Sequence, residues 1–152
     1  MYDKILVPTD GSETAAVGLA EAIKLARSQH GRIRLVHVVN ELVVVSGELS
    51  GTTFGDVVEL LRSSGETLLQ ESEAAVRAAG VEVDVRLIEV MGGQAGTSIL
   101  KEAQAWPADV IVCGTHGRRG IRRIVMGSDA EYIVRHSPVP VLLVRRSESR
   151  GK

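Results

Sequence analysis

Five apolar runs alternate with four segments of helical periodicity along the 152 residues, and that alternation constrains the fold more than any other feature. The first run, Ile5-Leu6-Val7 within Lys4 to Pro8, leads into the turn Asp10-Gly11-Ser12-Glu13. There Ser12 is placed to cap a helix and Glu13 suits a first helical turn. Ala16, Leu19, Ala20, Ile23 and Ala26 then recur at helical spacing, and Gly31 is the expected C′ residue. Ile33 to Val39 is apolar enough to be buried on both faces, as a strand of a parallel sheet is. The stretch 40–55 predicts a long loop. Asp56 to Ala79 returns to helical spacing at Val57, Leu61, Leu68, Ala75, Val76 and Ala79, with Gly65 as an expected interruption. Val81 to Val90 alternates apolar with charged residues and predicts a half-exposed edge strand. Gly92-Gly93 turns the chain, a short helix carries Ile99, Leu100 and Ala103, and Pro107 closes it. Asp109 to Gly114, Ser128 to His136 and Val139 to Val144 predict a strand, a helix and a final strand.

An order β-α-β-α-β-α-β-α-β predicts a doubly wound α/β fold: a parallel sheet with helices on both faces and right-handed crossovers. In such folds ligands lie beyond the carboxyl ends of the strands, where the strand order reverses. The loops after the first and fourth strands, 8–12 and 114–127, are the expected walls of that site. The second of them reads Gly114-Thr-His-Gly117-Arg-Arg-Gly-Ile-Arg-Arg-Ile-Val-Met-Gly127-Ser128. A strand that opens into a Gly-rich, Arg-rich loop and then a helix start suits an anion. Glycine lets backbone amides approach it, and the helix dipole favours its charge.

Several residues in these walls carry two readings. Ser128 and Glu131 have the spacing of a capping box, which accounts for Ser128 without a ligand. Asp10 is either a turn residue or a carboxylate near a ribose hydroxyl or a divalent ion. Arg118, Arg119, Arg122 and Arg123 are either a solvated charged loop or a phosphate attractor, with at most one or two reaching the ligand. Of the histidines, only His116 falls inside the loop; His37 reads as structural and His136 as a helix-end residue.

Composition removes other classes. The net charge of −1 argues against a general nucleic-acid binder. No apolar run reaches the length of a membrane span, and neither a leader before the first strand nor a location other than the cytoplasm is expected. The single cysteine, Cys113, lies in an apolar run and reads as a buried thiol. Walker A, G-x-G-x-x-G after the first strand, G-x-S-x-G and C-x-x-C are all missing, and the four histidines lack metal-ligand spacing.

Gly114-x2-Gly117-x9-Gly127-Ser128 resembles the ATP-binding signature of the universal stress protein family, G-x2-G-x9-G-[ST]. Ile5 to Ser12, Val36-His37-Val38 and Ser137 to Val144 resemble that family's opening strand and turn, second strand and closing strand. The resemblance implies one domain over residues 1–147 with a polar tail, 148–152, and an open five-stranded Rossmann-like sheet of order 3-2-1-4-5. It implies ATP, AMP or ADP between the first and fourth strand loops. Carried over by position, Pro8, Thr9 and Asp10 line the adenosine end, and Val38 offers its backbone to adenine. Gly114 and Gly117 pass the ribose and phosphates, with His116 and Arg118 beside them. Gly127, Ser128 and the amide of Asp129 hold the phosphate tail. Mg²⁺ or Mn²⁺ would accompany the phosphates, with Asp10 or Asp129 as a ligand. The resemblance also implies a homodimer through Val139 to Val144. The sequence supports that pairing, because an apolar edge strand left open invites aggregation, and Pro138 and Pro140 suit an edge. Two positions depart from the pattern: Asp129 stands where relatives carry a small apolar residue, and Ala95 where they often carry proline.

Three functions follow. The first is a nucleotide-dependent regulatory binding module in a stress response, acting on a further protein partner and showing at most weak ATP hydrolysis. The second is a slow ATPase or an adenylyl or phosphoryl transferase using the same loop. The third is a nucleotide-free dimeric interaction protein.

Overall fold

The computed structural model describes residues 1–41, 53–115 and 126–146. The elements run β1 (Lys4–Pro8), α1 (Glu13–Gln29), β2 (Arg32–Asn40), α2 (Phe54–Ala78), β3 (Glu82–Val90), α3 (Ala95–Ala105), β4 (Val110–Gly114), α4 (Ser128–His136) and β5 (Val141–Val144). All neighbouring strands are parallel, and the sheet order is β3-β2-β1-β4-β5. That is the expected doubly wound arrangement. β1 and β4 lie side by side at its centre, where the winding reverses.

Strand periodicity divides the core in two. Ile5, Val7, Ile33, Leu35, Val110 and Val112 point to one face, where Leu19, Ala22 and Ala26 of α1 and Leu69 and Val76 of α2 cover them. Leu6, Val36 and Ile111 point to the other, under Ile99, Leu100 and Ala103 of α3 and Ile133 of α4. No described helix is long and apolar enough to cross a membrane.

Several local expectations are corrected. In α1, Ala16 and Ala20 are exposed, and the buried stripe runs through Thr14, Ala15, Gly18, Leu19, Ala22 and Ala26. Alanine fits either side of a helix, so its spacing does not fix the face. Gly18 does fix it: a Cβ there would lie 3.1 Å from the Gly114 nitrogen, so α1 meets β4 backbone to backbone. The left-handed residue that ends α1 is His30, at φ 54°, while Gly31 follows it and donates to the Ala26 carbonyl. Glycine is required at 31 for space, since a Cβ would sit 2.7 Å from the Tyr2 carbonyl oxygen.

The central part of the expected loop 40–55, residues 42–52, falls outside the described residues. Its far end is shorter than expected, because Thr53 caps α2 by accepting the Asp56 amide at 3.2 Å. Gly65 does not interrupt that helix. Leu69 and Val76 are buried while Ala75 is exposed, so the packed stripe differs from the expected one. The last strand starts at Val141 rather than Val139, because Val139 is held in a turn by the Ser137 hydroxyl.

Candidate functional site

The carboxyl ends of β1 and β4 adjoin at the reversal point, where Pro8, Thr9 and Gly114 of the expected site lie. Pro8 ends β1, and Thr9 continues its ladder by one bond, donating its amide to the Val36 carbonyl at 2.8 Å. The chain then turns away. The Asp10 carboxylate accepts the Ser12 amide at 2.9 Å, and the Ser12 hydroxyl accepts the Ala15 amide at 3.1 Å. The same short turn therefore lifts the chain off the sheet and starts α1.

On β4, Gly114 is a packing glycine: a Cβ would lie 2.6 Å from the Thr14 carbonyl oxygen. Thr115 extends the β4–β5 ladder, with its amide donated to the Val144 carbonyl at 3.1 Å. Its own carbonyl accepts the Gly127 amide at 2.6 Å. That bond fastens the start of α4 to the end of β4. His116, Gly117 and Arg118 lie outside the described residues, as do Arg119, Arg122 and Arg123.

The capping box expected at Ser128 is not formed. Gly127 is the N-cap, it has no side chain to cap with, and its carbonyl accepts the Glu131 amide. Ser128 is thus the first helical residue. Helix geometry leaves the amides of Ser128, Asp129 and Ala130 without a carbonyl partner inside α4. They stand where the dipole is positive. The Asp129 carboxylate turns aside and accepts the Gly96 amide at 3.4 Å. Gln94 provides no side-chain cap to α3, so Asp129 serves that neighbouring helix start instead. Ala95 opens α3 without disturbance.

Val38 lies on β2 two residues past Val36. Alternate residues of a strand direct their peptide groups to the same side, so Val38 presents its N–H and C=O toward β1, beyond where β1 has ended. Sequence reading missed one residue here and took another, His37, as structural without a place in the site. Thr115 closes the loop through its backbone, which no side-chain pattern reveals. His37 is buried at 8% exposure, and its Nδ1 lies 2.8 Å from the Thr9 carbonyl oxygen. The available signal was a polar residue within an apolar strand at the level where β1 stops.

Burial alone pushes the Cys113 thiol up to about 11, which favours the protonated thiol at neutral pH. Among the described residues, no three His, Cys, Asp or Glu side chains converge on a metal position.

The whole arrangement has counterparts. The chain is 30% identical over 146 residues to a universal stress protein from Methanocaldococcus jannaschii, covering 96% of this chain and 84% of that one. Its fold superposes with a TM-score of 0.85 on a hypothetical protein whose structure was a test case for assigning biochemical function, at 27% identity and covering 98% and 99% of the two chains. A universal stress protein from Archaeoglobus fulgidus, solved in complex with dAMP, shares the fold at a TM-score of 0.65 and 24% identity, covering 93% and 97%. The family model for universal stress proteins matches residues 1–145. With its strand order, its reversal-point loops and its Gly127-Ser128 helix start, this chain belongs to the universal stress protein family.

Proposed function

We propose that the protein is an ATP- or AMP-binding regulatory module. The observation that carries the reading is the bond from the Gly127 amide to the Thr115 carbonyl, which sets the uncapped first turn of α4 at the end of β4 beside the end of β1. Amides at a helix start held against a parallel sheet suit a phosphate. In this reading Pro8, Thr9 and Asp10 line the adenosine end and Val38 meets adenine. Gly114, His116, Gly117 and Arg118 follow the ribose and phosphates, and Gly127, Ser128 and the Asp129 amide take the phosphate tail. The dAMP complex of the Archaeoglobus relative supports an adenine nucleotide.

Mg²⁺ or Mn²⁺ arriving with the phosphates would share the Asp10 carboxylate with the Ser12 amide that it already accepts. The same reading includes a cytoplasmic setting and a homodimer along β5, whose Leu142 is 40% exposed on a strand paired on one side by β4. An unidentified protein partner would sense the loaded state.

Titration calorimetry tests the proposal. ATP and AMP bind the wild type, and Gly127→Val weakens both at least about 30-fold, roughly 2 kcal/mol, by filling the space in front of the amides. Its backbone, at φ −58° and ψ 151°, is a conformation valine adopts readily, and a melting curve checks that the variant folds. Failure of the wild type to bind either nucleotide refutes the proposal. Turnover at or above ~1 s⁻¹ would move the assignment to an enzyme.

A further inference from the structure

The ladder between β1 and β2 stops one bond early, and a side chain takes the place of the missing bond. Thr9 donates its amide to the Val36 carbonyl at 2.8 Å. In a parallel ladder the next bond runs from the Val38 amide to the Thr9 carbonyl. Here the Thr9 carbonyl meets the imidazole of His37 instead, at 2.8 Å. A carbonyl oxygen only accepts, so the Nδ1 of His37 carries the proton and donates. The ring sits on the α1–α2 face of the sheet, and α2 is shaped around it. A Cβ at Gly65 would lie 2.7 Å from the ring Cδ2 and 2.9 Å from Leu87 Cδ1. Leu68, one turn further along α2, lies 3.6 Å from the Cβ position of Gly11, behind the same turn.

We propose that His37 is a positioning residue that sets base specificity: by taking the Thr9 carbonyl, it leaves the Val38 N–H open beside a C=O that β1 does not extend far enough to pair, and the two read the Watson–Crick edge of adenine. This rests on the nucleotide-binding reading above. One strand residue offers a donor and an acceptor side by side, which matches the N1 acceptor and N6 donor of adenine. Guanine presents its acceptor at O6 and its donor at N1, the reverse order. A ribose and phosphate tail anchored at α4 fix the orientation of the base, so the reversed pattern leaves buried groups unpaired. Gly65 contributes by giving the ring its room.

Two measurements test this. The first needs no nucleotide: amide hydrogen exchange on the free protein. Val38 exchanges at least about 100-fold faster than Val36, its neighbour with the same orientation, although both lie on one interior strand. In His37→Leu the Thr9 carbonyl turns back to the Val38 amide, which then slows at least about tenfold, the effect of one hydrogen bond. Protection of Val38 equal to that of Val36 in the wild type overturns the inference, and this result stands even if His37→Leu does not fold. The second is titration with ATP and GTP. His37→Leu loses at least about tenfold in ATP affinity with little change for GTP, so the preference narrows. His37→Asn, whose amide nitrogen replaces Nδ1, stays within about threefold of the wild type for ATP. Equal losses for ATP and GTP in His37→Leu mark a merely structural histidine and overturn the specificity claim. A wild type with an unprotected Val38 amide that binds no nucleotide overturns the proposed function while leaving His37 as the group that opens Val38.

Discussion

The joint around Arg34 and the crevice between the ends of β1 and β4 handle polar groups in opposite ways. At the amino-terminal end of the sheet, ion pairs and carboxylate–amide bonds close the joint. Arg34 on β2 donates to both Asp84 oxygens, at 2.7 and 2.9 Å, and to Glu102 of α3 at 2.8 Å. The Asp84 carboxylate first, and Glu102 after it, raise Arg34 above the ordinary guanidinium range, and Trp106 lies 4.7 Å over the guanidinium. Asp109 accepts the amides of Asp3 and Lys4 at 3.0 and 2.9 Å. At the carboxyl-terminal end the chain turns off the sheet at Asp10 and returns to it at Gly127. Side chains there satisfy the turns, while Val38 and the first turn of α4 face the crevice. The charge cluster at Arg34 therefore marks a closed structural joint, as does a second one at the carboxyl end of β3, where Arg62 donates to both Glu89 oxygens and to Glu59. The candidate site is the place where backbone pairing was left incomplete.

The strongest test of this contrast removes the joint. Arg34→Leu leaves the Glu102 carboxylate, 9% exposed, with only Arg86 at 3.8 Å, and should cost about 3 kcal/mol in urea unfolding. Adding Glu102→Leu should recover most of that loss, because a buried pair and an apolar pair of similar volume differ little. Neither change should move ATP affinity more than about twofold, and a larger shift would break the separation of joint and crevice.

Gly114→Ala tests the floor of the crevice. Its Cβ must push against the Thr14 backbone, so about 2 kcal/mol of stability should be lost, read as a lower urea midpoint. A neutral Gly114→Ala would show that this glycine does not hold α1 against β4.

Cys113 probes how dry that floor is. With the thiol held near 11 rather than its ordinary 9, the native protein at pH 8 should react with iodoacetamide about 100-fold more slowly than the protein in urea. The sign for stability follows. The buried neutral thiol contributes fully below about pH 9, and that contribution is lost as pH rises toward 11.

The smallest effect belongs to Ser128→Ala. Since Gly127 is the N-cap, losing the hydroxyl should leave the melting temperature within about 1 °C and weaken nucleotide binding only about threefold. A large drop in melting temperature would restore the capping-box reading.

The order of elements was legible because period-2 and period-3.6 apolar patterns follow directly from strand and helix geometry. The edge position of β3 was legible for the same reason, since Val81 and Val83 are buried while Glu82, Asp84 and Arg86 are exposed; the alternation ends at Val85, which is 38% exposed. Local chemistry was less readable where two residues could do the same task. His30 rather than Gly31 took the left-handed conformation, and Gly31 is needed instead for space beside the Tyr2 carbonyl. Gly127 rather than Ser128 became the N-cap, because the Thr115 carbonyl holds its amide. Each of these outcomes depends on a residue distant in sequence.

The amino-acid sequence by itself determined that strands and helices alternate, and hence that a crevice opens at the carboxyl ends of parallel strands, because burying apolar faces with these periods leaves few other packings. Only the tertiary structure decided which groups face that crevice. The Thr9 carbonyl is satisfied by His37 and the Asp129 carboxylate by Gly96, and hydrogen bonds between distant segments are fixed by the packing of whole elements, which no local pattern encodes.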